Sequence, residues 1–164
     1  MAPTDSVDNL VLAGLRTELK ALQEFKVTLQ AEQKALVGGD VVTLTALSQS
    51  KLKQIDHLNR LATERLDRIT SLGFAANRHG MDQCAKTMGV SALETWRSIL
   101  ALTSEAHQAN QINGALIQTH LQHNQQALAA LLAATNRASL YGSDGQPEGA
   151  PQGSGAARGI IGKA

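Results

Sequence analysis

Cysteine, aromatic residues and proline are scarce in this chain, and each scarcity excludes something. A single cysteine, Cys84, rules out an internal disulfide. The aromatic rings are Phe25, Phe74, Trp96 and Tyr141, too few for a thick globular core, so aliphatic helical seams are expected. No alternating or β-branched run has useful length, which argues against strands. No apolar run is long enough for a membrane span. The start, Met1-Ala2-Pro3-Thr4-Asp5, lacks the basic-then-apolar pattern of a signal peptide, so a cytoplasmic protein is expected. An excess of one charge is missing too: 15 Lys and Arg stand against 14 Asp and Glu. The signs interleave, as in Glu64-Arg65-Leu66-Asp67-Arg68, which reads as a solvated helix face and not as the basic stripe of a nucleic-acid binder. Gly38-Gly39 lacks the residues that would make it a phosphate loop.

What is present is helical periodicity. A first helix is predicted over residues 6–37, capped by Thr4, Asp5 or Ser6. Its seam is Leu12, Leu15, Leu19, Leu22, Leu29 and Leu36, interrupted at Lys26 and Gln33. Gly38-Gly39 stops it, and Asp40 caps a second helix over 41–72 that must fold back antiparallel across so short a loop. The second stripe is Leu44, Leu47, Ile55, Leu58, Ala62, Leu66, Ile69 and Leu72, and Gly73-Phe74 reads as a helix stop. Asn77, Gly80 and Gly89 interrupt residues 75–90, where 81–88 is a candidate short helix.

A third long helix is predicted over 91–139, entered through a Ser91-x-x-Glu94 capping box. A three-four spacing picks out Leu93, Trp96, Leu100, Thr103, His107, Asn110, Gly114, Ile117, Leu121, Asn124, Leu128, Leu131 and Thr135 as its seam. The fold expected is therefore all-α, an antiparallel up-down-up bundle of three long helices. One domain should cover 1–141, with a Gly/Ser/Ala/Pro tail at 142–164 too poor in apolar residues to order itself.

The candidate chemistry is thin. His120 and His123 could reach one metal ion, but no Cys, Asp or Glu stands within a turn of them, and solvated histidines account for the pair. Cys84 lies between Asp82 and Lys86 without the base a nucleophilic thiol needs. His107 and Asn110 in the seam, with Asn113 and Gly114 close by, suit helix register better than catalysis. Gly114 either admits a close backbone or weakens the helix. No enzyme, metal or cofactor is expected, which leaves surfaces. At 1.5 Å per residue the third helix is roughly 70 Å long against roughly 48 Å for the first two. Its last heptads, carrying Leu121, Leu128, Leu131 and Leu132, should therefore outreach the Gly38-Gly39 turn. An apolar face of that kind awaits a partner, the 75–90 connector, or a second copy in a homodimeric coiled-coil adaptor.

One set of residues points to a family. Two leucine-rich helices split by Gly38-Gly39-Asp40 are followed by Trp96, by Asn110-Gln-Ile-Asn113-Gly114-Ala-Leu-Ile117, and by Leu140-Tyr141-Gly142-Ser143-Asp144-Gly145. In this combination and spacing the chain resembles the FlgN family of flagellar type III export chaperones, with Ser143 where the family usually has proline. The resemblance implies a cytosolic protein that binds hook-associated proteins, the hook–filament junction subunits, by their C-terminal helices. It implies client binding by the chaperone's own C-terminal helix, here Ile117, Leu121, Leu128, Leu131 and Leu132. It also implies delivery to the cytosolic domain of the membrane export gate, with Tyr141 at the position that docks there.

Overall fold

Glycine and a capping acid place the first turn. Gly39 takes a left-handed φ of 68°, a conformation open to it because it has no Cβ. The amide of Asp40 then donates to the Ala35 carbonyl at 3.0 Å. The Asp40 carboxylate accepts from the Thr43 amide at 3.0 Å and the Thr43 hydroxyl at 2.6 Å, closing the start of the next helix. The same logic repeats at Gly73, where φ is 84° and the Phe74 amide reaches back to the Ile69 carbonyl at 3.0 Å.

The computed structural model describes residues 3–139. Among these described residues four helices follow one another: α1 (Pro3–Gly38), α2 (Val41–Ser71), α3 (Arg78–Thr87) and α4 (Val90–Ser139). There is no strand among the described residues. The three long helices expected from periodicity are all there. The short helix expected at 81–88 begins earlier, because Asn77 caps it by accepting from the Gly80 amide at 2.8 Å. Gly80 sits inside that first turn; a Cβ there would collide with the Ala75 carbonyl, so glycine serves close packing at this point and breaks nothing. The capping box at Ser91 does not form. Helix α4 starts at Val90, the Leu93 amide bonds the Gly89 carbonyl, and Ser91 lies within the first turn.

The chain divides into two compact units, Met1–Thr119 and His120–Ala164, with α4 contributing to both. In the first, α1 is the central element. Its buried positions are Val11, Leu15, Glu18, Ala21, Leu22, Thr28, Leu29, Glu32, Ala35 and Leu36, with Phe25 half-buried between. Apart from Ala21, Thr28 and Ala35 these follow an unbroken three-four heptad, and its charged members occupy seam positions that read as polar in the sequence. As α1 advances from Glu18 to Glu32, its partners on α2 retreat from Arg65 to Lys51, both at 2.8 Å, so the two helices are antiparallel. As α1 advances from Lys26 to Leu29 and Glu32, its partners on α4 advance from Glu105 to Asn113, so those two are parallel. The up-down-up order follows from these pairs.

Helix α3 closes one end of this unit. Met81, Cys84 and Ala85 are fully buried with Val11, Leu15, Ile69 and Trp96. The Trp96 indole N–H donates to Asp82 at 2.6 Å, and the Arg65 guanidinium lies 4.8 Å from the Trp96 ring centroid. Cys84 is thus a core residue with its sulfur 3.6 Å from that of Met88. Arg65, expected on a solvated face, instead joins Glu18 and Trp96 indoors.

Candidate functional site

The seam of α4 in the first unit runs one residue away from the one periodicity proposes. Its buried positions are Ala92, Trp96, Ile99, Ala106 and Asn113, with Leu102, Ala109 and Leu116 half-buried. Thr103, His107, Asn110 and Gly114, all expected on the seam, are exposed. The reason is residue size: past Leu102 the true seam continues through Ala106, Ala109 and Asn113, and leaves a fainter pattern there than its apolar start at Trp96 and Ile99. Asn113 is 1 % exposed and holds α4 to α1, donating to the Leu29 carbonyl at 2.9 Å and to the Glu32 carboxylate at 2.7 Å. His107 faces outward with Gln111 Nε2 3.0 Å from its own Nε2. Gly114 has open space around its Cα, so no neighbouring backbone exploits it.

Continued by sevens past Asn113 and Leu116, the buried seam would reach His120, His123, Ala127, Ala130 and Ala134. The large aliphatic residues do not follow it. Ile117, Leu121, Leu128 and Leu131 fall one step on and Leu132 two, all within about 100° of the helix circumference. Every described position from Ile117 to Thr135 is exposed. Leu121 is 50 % exposed, Leu128 56 %, Leu131 61 % and Leu132 54 %. Two stripes of different phase thus share one helix: one that is buried as far as Asn113, and a leucine stripe that is open. The 75–90 connector, one of the coverings expected for these leucines, places Met81, Cys84 and Ala85 in the core with Val11 and Trp96.

The other candidates sort simply. His120 and His123 are exposed, and among the described residues no group of three or more His, Cys, Asp or Glu comes together. Tyr141 and the tail at 142–164 lie outside the described residues. Among those described, no helix is long and apolar enough to cross a membrane.

Sequence reasoning missed a second surface, wholly within the first unit. Helix α2 is half-buried along its stripe, and only Ile69 is buried outright. Between it and α4, with α1 as floor, lies a groove of about 430 Å³. Its apolar lining includes Leu22, Phe25, Ile55, Leu58, Ile99 and Leu100, and its polar lining Asn59, Thr103, His107 and Asn110. Glu18 and Arg65, its charged members, are paired with each other at 2.8 Å. Nothing in the α2 stripe itself signals that Leu58 and Ala62 stay half-buried, since that depends on which helices pack against it.

The family model described as FlgN protein matches residues 7–149. Among curated proteins, the flagella synthesis protein FlgN of Yersinia enterocolitica is 30 % identical over 139 residues, covering 84 % of this chain and 88 % of the relative. The protein of that name from Salmonella typhimurium is 27 % identical over 126 residues, 76 % of this chain and 81 % of the relative. The one from Escherichia coli is 27 % identical over 141 residues, 82 % and 88 % respectively. No solved structure matches.

Proposed function

The chain belongs to the FlgN family of flagella synthesis proteins, and from that premise we propose that it is a cytosolic, non-enzymatic chaperone for flagellar export. Its clients are the hook-associated proteins of the hook–filament junction. It binds their C-terminal helices through Ile117, Leu121, Leu128, Leu131 and Leu132 of α4, keeps them unassembled, and hands them to the cytosolic domain of the type III export gate. Tyr141 is the gate-docking residue.

The observation that carries this reading is the open leucine stripe. These side chains are more than two-fifths exposed and stand out of phase with the seam that α4 uses against its own chain. Burying each stabilises a complex by roughly 1.5–3 kcal/mol. The four leucines among them yield, after association costs, a reversible complex in the micromolar range. An amphipathic client helix laid along them is the helix-in-groove mode of recognition. Release requires no nucleotide, since competition at the gate suffices.

Leu128→Asp/Leu131→Asp protein should fail to co-purify with the hook-associated subunits; retention at wild-type levels would refute the proposal. Tyr141→Ala should keep client binding and weaken gate binding, and loss of both would refute the division of labour. A concentration-independent dimer in analytical ultracentrifugation, with Leu128 protected, would favour the structural adaptor instead.

A further inference from the structure

We propose that Asn124 decides which helix the open stripe of α4 accepts, and in which register. This rests on the chaperone reading above and concerns the same stripe. The occupant is one client helix with an apolar inward face, no charge along that face, and a single amide or hydroxyl residue set opposite Asn124.

Three features define that occupant. The first is charge. No Asp, Glu, Lys or Arg stands in residues 106–136. In the first unit charge chooses the partner, since Glu18 meets Arg65 and Glu32 meets Lys51, both at 2.8 Å. Where two helices pack along a heptad seam, the positions beside the seam commonly carry the charges that set partner and orientation. Beside the seam from Leu121 to Thr135 those positions hold His120, Gln125, Ala127, Leu132 and Ala134. A charged residue on the guest's inward face would lose its hydration here and find no Asp, Glu, Lys or Arg to pair with.

The second is the seam itself. By three-four spacing its members are Leu121, Asn124, Leu128, Leu131 and Thr135, all exposed. Two are polar, and they differ. The Thr135 hydroxyl already donates to the Leu132 carbonyl at 2.9 Å, so a covering helix can bury it satisfied. Asn124 lies between Leu121 and Leu128 and carries two amide donors and a carbonyl acceptor. A helix seated on the leucines takes these groups from water, and the guest must then pair them. One polar residue in an apolar seam fixes register for that reason, because a shift of one heptad sets the amide against an apolar layer. The chain uses the same device on itself at Asn113, which is buried and donates to the Leu29 carbonyl and the Glu32 carboxylate of α1. There Lys51 neutralises the carboxylate, a cation with no counterpart in residues 106–136. The group that meets Asn124 is therefore an amide or a hydroxyl.

The third is length. From Leu121 to Thr135 the described seam covers two heptads. A self-standing coiled coil is sustained over about three to four. So short a seam suits a guest that is held and released better than a permanent pairing of two copies.

The test titrates full-length wild type, Asn124→Ala and Asn124→Leu against two probes, a hook-associated subunit and a synthetic amphipathic helix whose inward face is leucine throughout. Asn124 is exposed, so neither substitution opens the core, and an unchanged melting temperature verifies this. Both variants should bind the subunit at least about tenfold more weakly, equivalent to 1.4 kcal/mol. Asn124→Leu should bind the leucine-faced helix more tightly than wild type does. A subunit that binds either variant as well as wild type would overturn the proposal. So would a wild-type dimer in ultracentrifugation that dissociates in Asn124→Ala. Raising salt from about 0.05 to about 0.5 M should weaken subunit binding by less than about twofold, and a tenfold loss would overturn the uncharged character of the guest. Leu128→Asp/Leu131→Asp is measured alongside. If that variant loses the subunit while both Asn124 variants keep it, the role of Asn124 alone is refuted; if it keeps the subunit as well, the chaperone reading falls and this proposal with it.

Discussion

The two units of this chain use the same residue type for opposite purposes. In the first, Leu15, Leu22, Leu29 and Leu36 of α1 are sealed: Leu15 is 1 % exposed and Leu29 0 %. In the second, the leucines of α4 are open, with Leu131 at 61 %. Composition does not separate them, because both stretches are leucine-rich heptads. What separates them is the company they keep. The leucines of α1 alternate with seam positions whose charges are matched, Glu18 by Arg65 and Glu32 by Lys51. Those of α4 have no such matched groups among the described residues. Leucine periodicity therefore marks a face that is apolar, and buried charge marks the face the chain keeps for itself.

The sharpest way to break this contrast is to truncate one leucine from each unit. Leu29→Ala should lower the stability of the first unit by about 2–5 kcal/mol in urea unfolding, as expected where a sealed side chain leaves a cavity. Leu131→Ala should stay within about 0.5 kcal/mol in the same measurement. Equal losses would mean the second stripe is structural. Next in size is Glu32→Ala, which strands Lys51 and removes a partner of Asn113; about 3 kcal/mol should be lost, read as a lower urea midpoint.

How much of this was legible in the sequence depends on how loudly each residue speaks. The Gly38-Gly39-Asp40 turn, the stop at Gly73-Phe74 and the long helices were plain, since glycine and capping acids act locally. The leucine positions of α1 were plain too. Its alternate seam positions were not, because Glu18 and Glu32 become core residues only when Arg65 and Lys51 arrive from α2. Reading the gaps as Lys26 and Gln33 put them one residue late. In α4 the error had a different origin. One phase was fitted to two stripes, and the leucines beyond Ile117 pulled the register away from Ala106, Ala109 and Asn113. Of the three residues expected to set register, Asn113 is buried and bonded to α1, and Asn110 and Gly114 are exposed. The groove was invisible, being a gap between helices and not a property of any one of them.

Smaller effects refine the same comparison. Gly114→Ala should stabilise the chain by up to about 1 kcal/mol, because the added methyl meets open space and the helix loses a flexible residue. A decrease in melting temperature would show that the glycine is used. The smallest effect belongs to Asp40, whose pKa is lowered chiefly by the Thr43 hydroxyl and then by the Thr43 amide. A depressed carboxylate stabilises the fold above its unfolded value, about 4, and that contribution fades as pH falls through the folded value. Asp40→Asn keeps the cap but should flatten the dependence of melting temperature on pH across that acidic window.

The two glutamates of α1 lie two heptads apart, and so do the basic residues they meet on α2. Slide one helix past the other by a single heptad and neither glutamate finds a cation. Slide it by two and one glutamate is served while the other lies beyond the end of α2. The spacing works like the teeth of a key: only one insertion depth turns. The hairpin should consequently find its alignment even with its loop severed, as two separate peptides, because the instruction for where to stop is written along the helices and not in the turn that joins them.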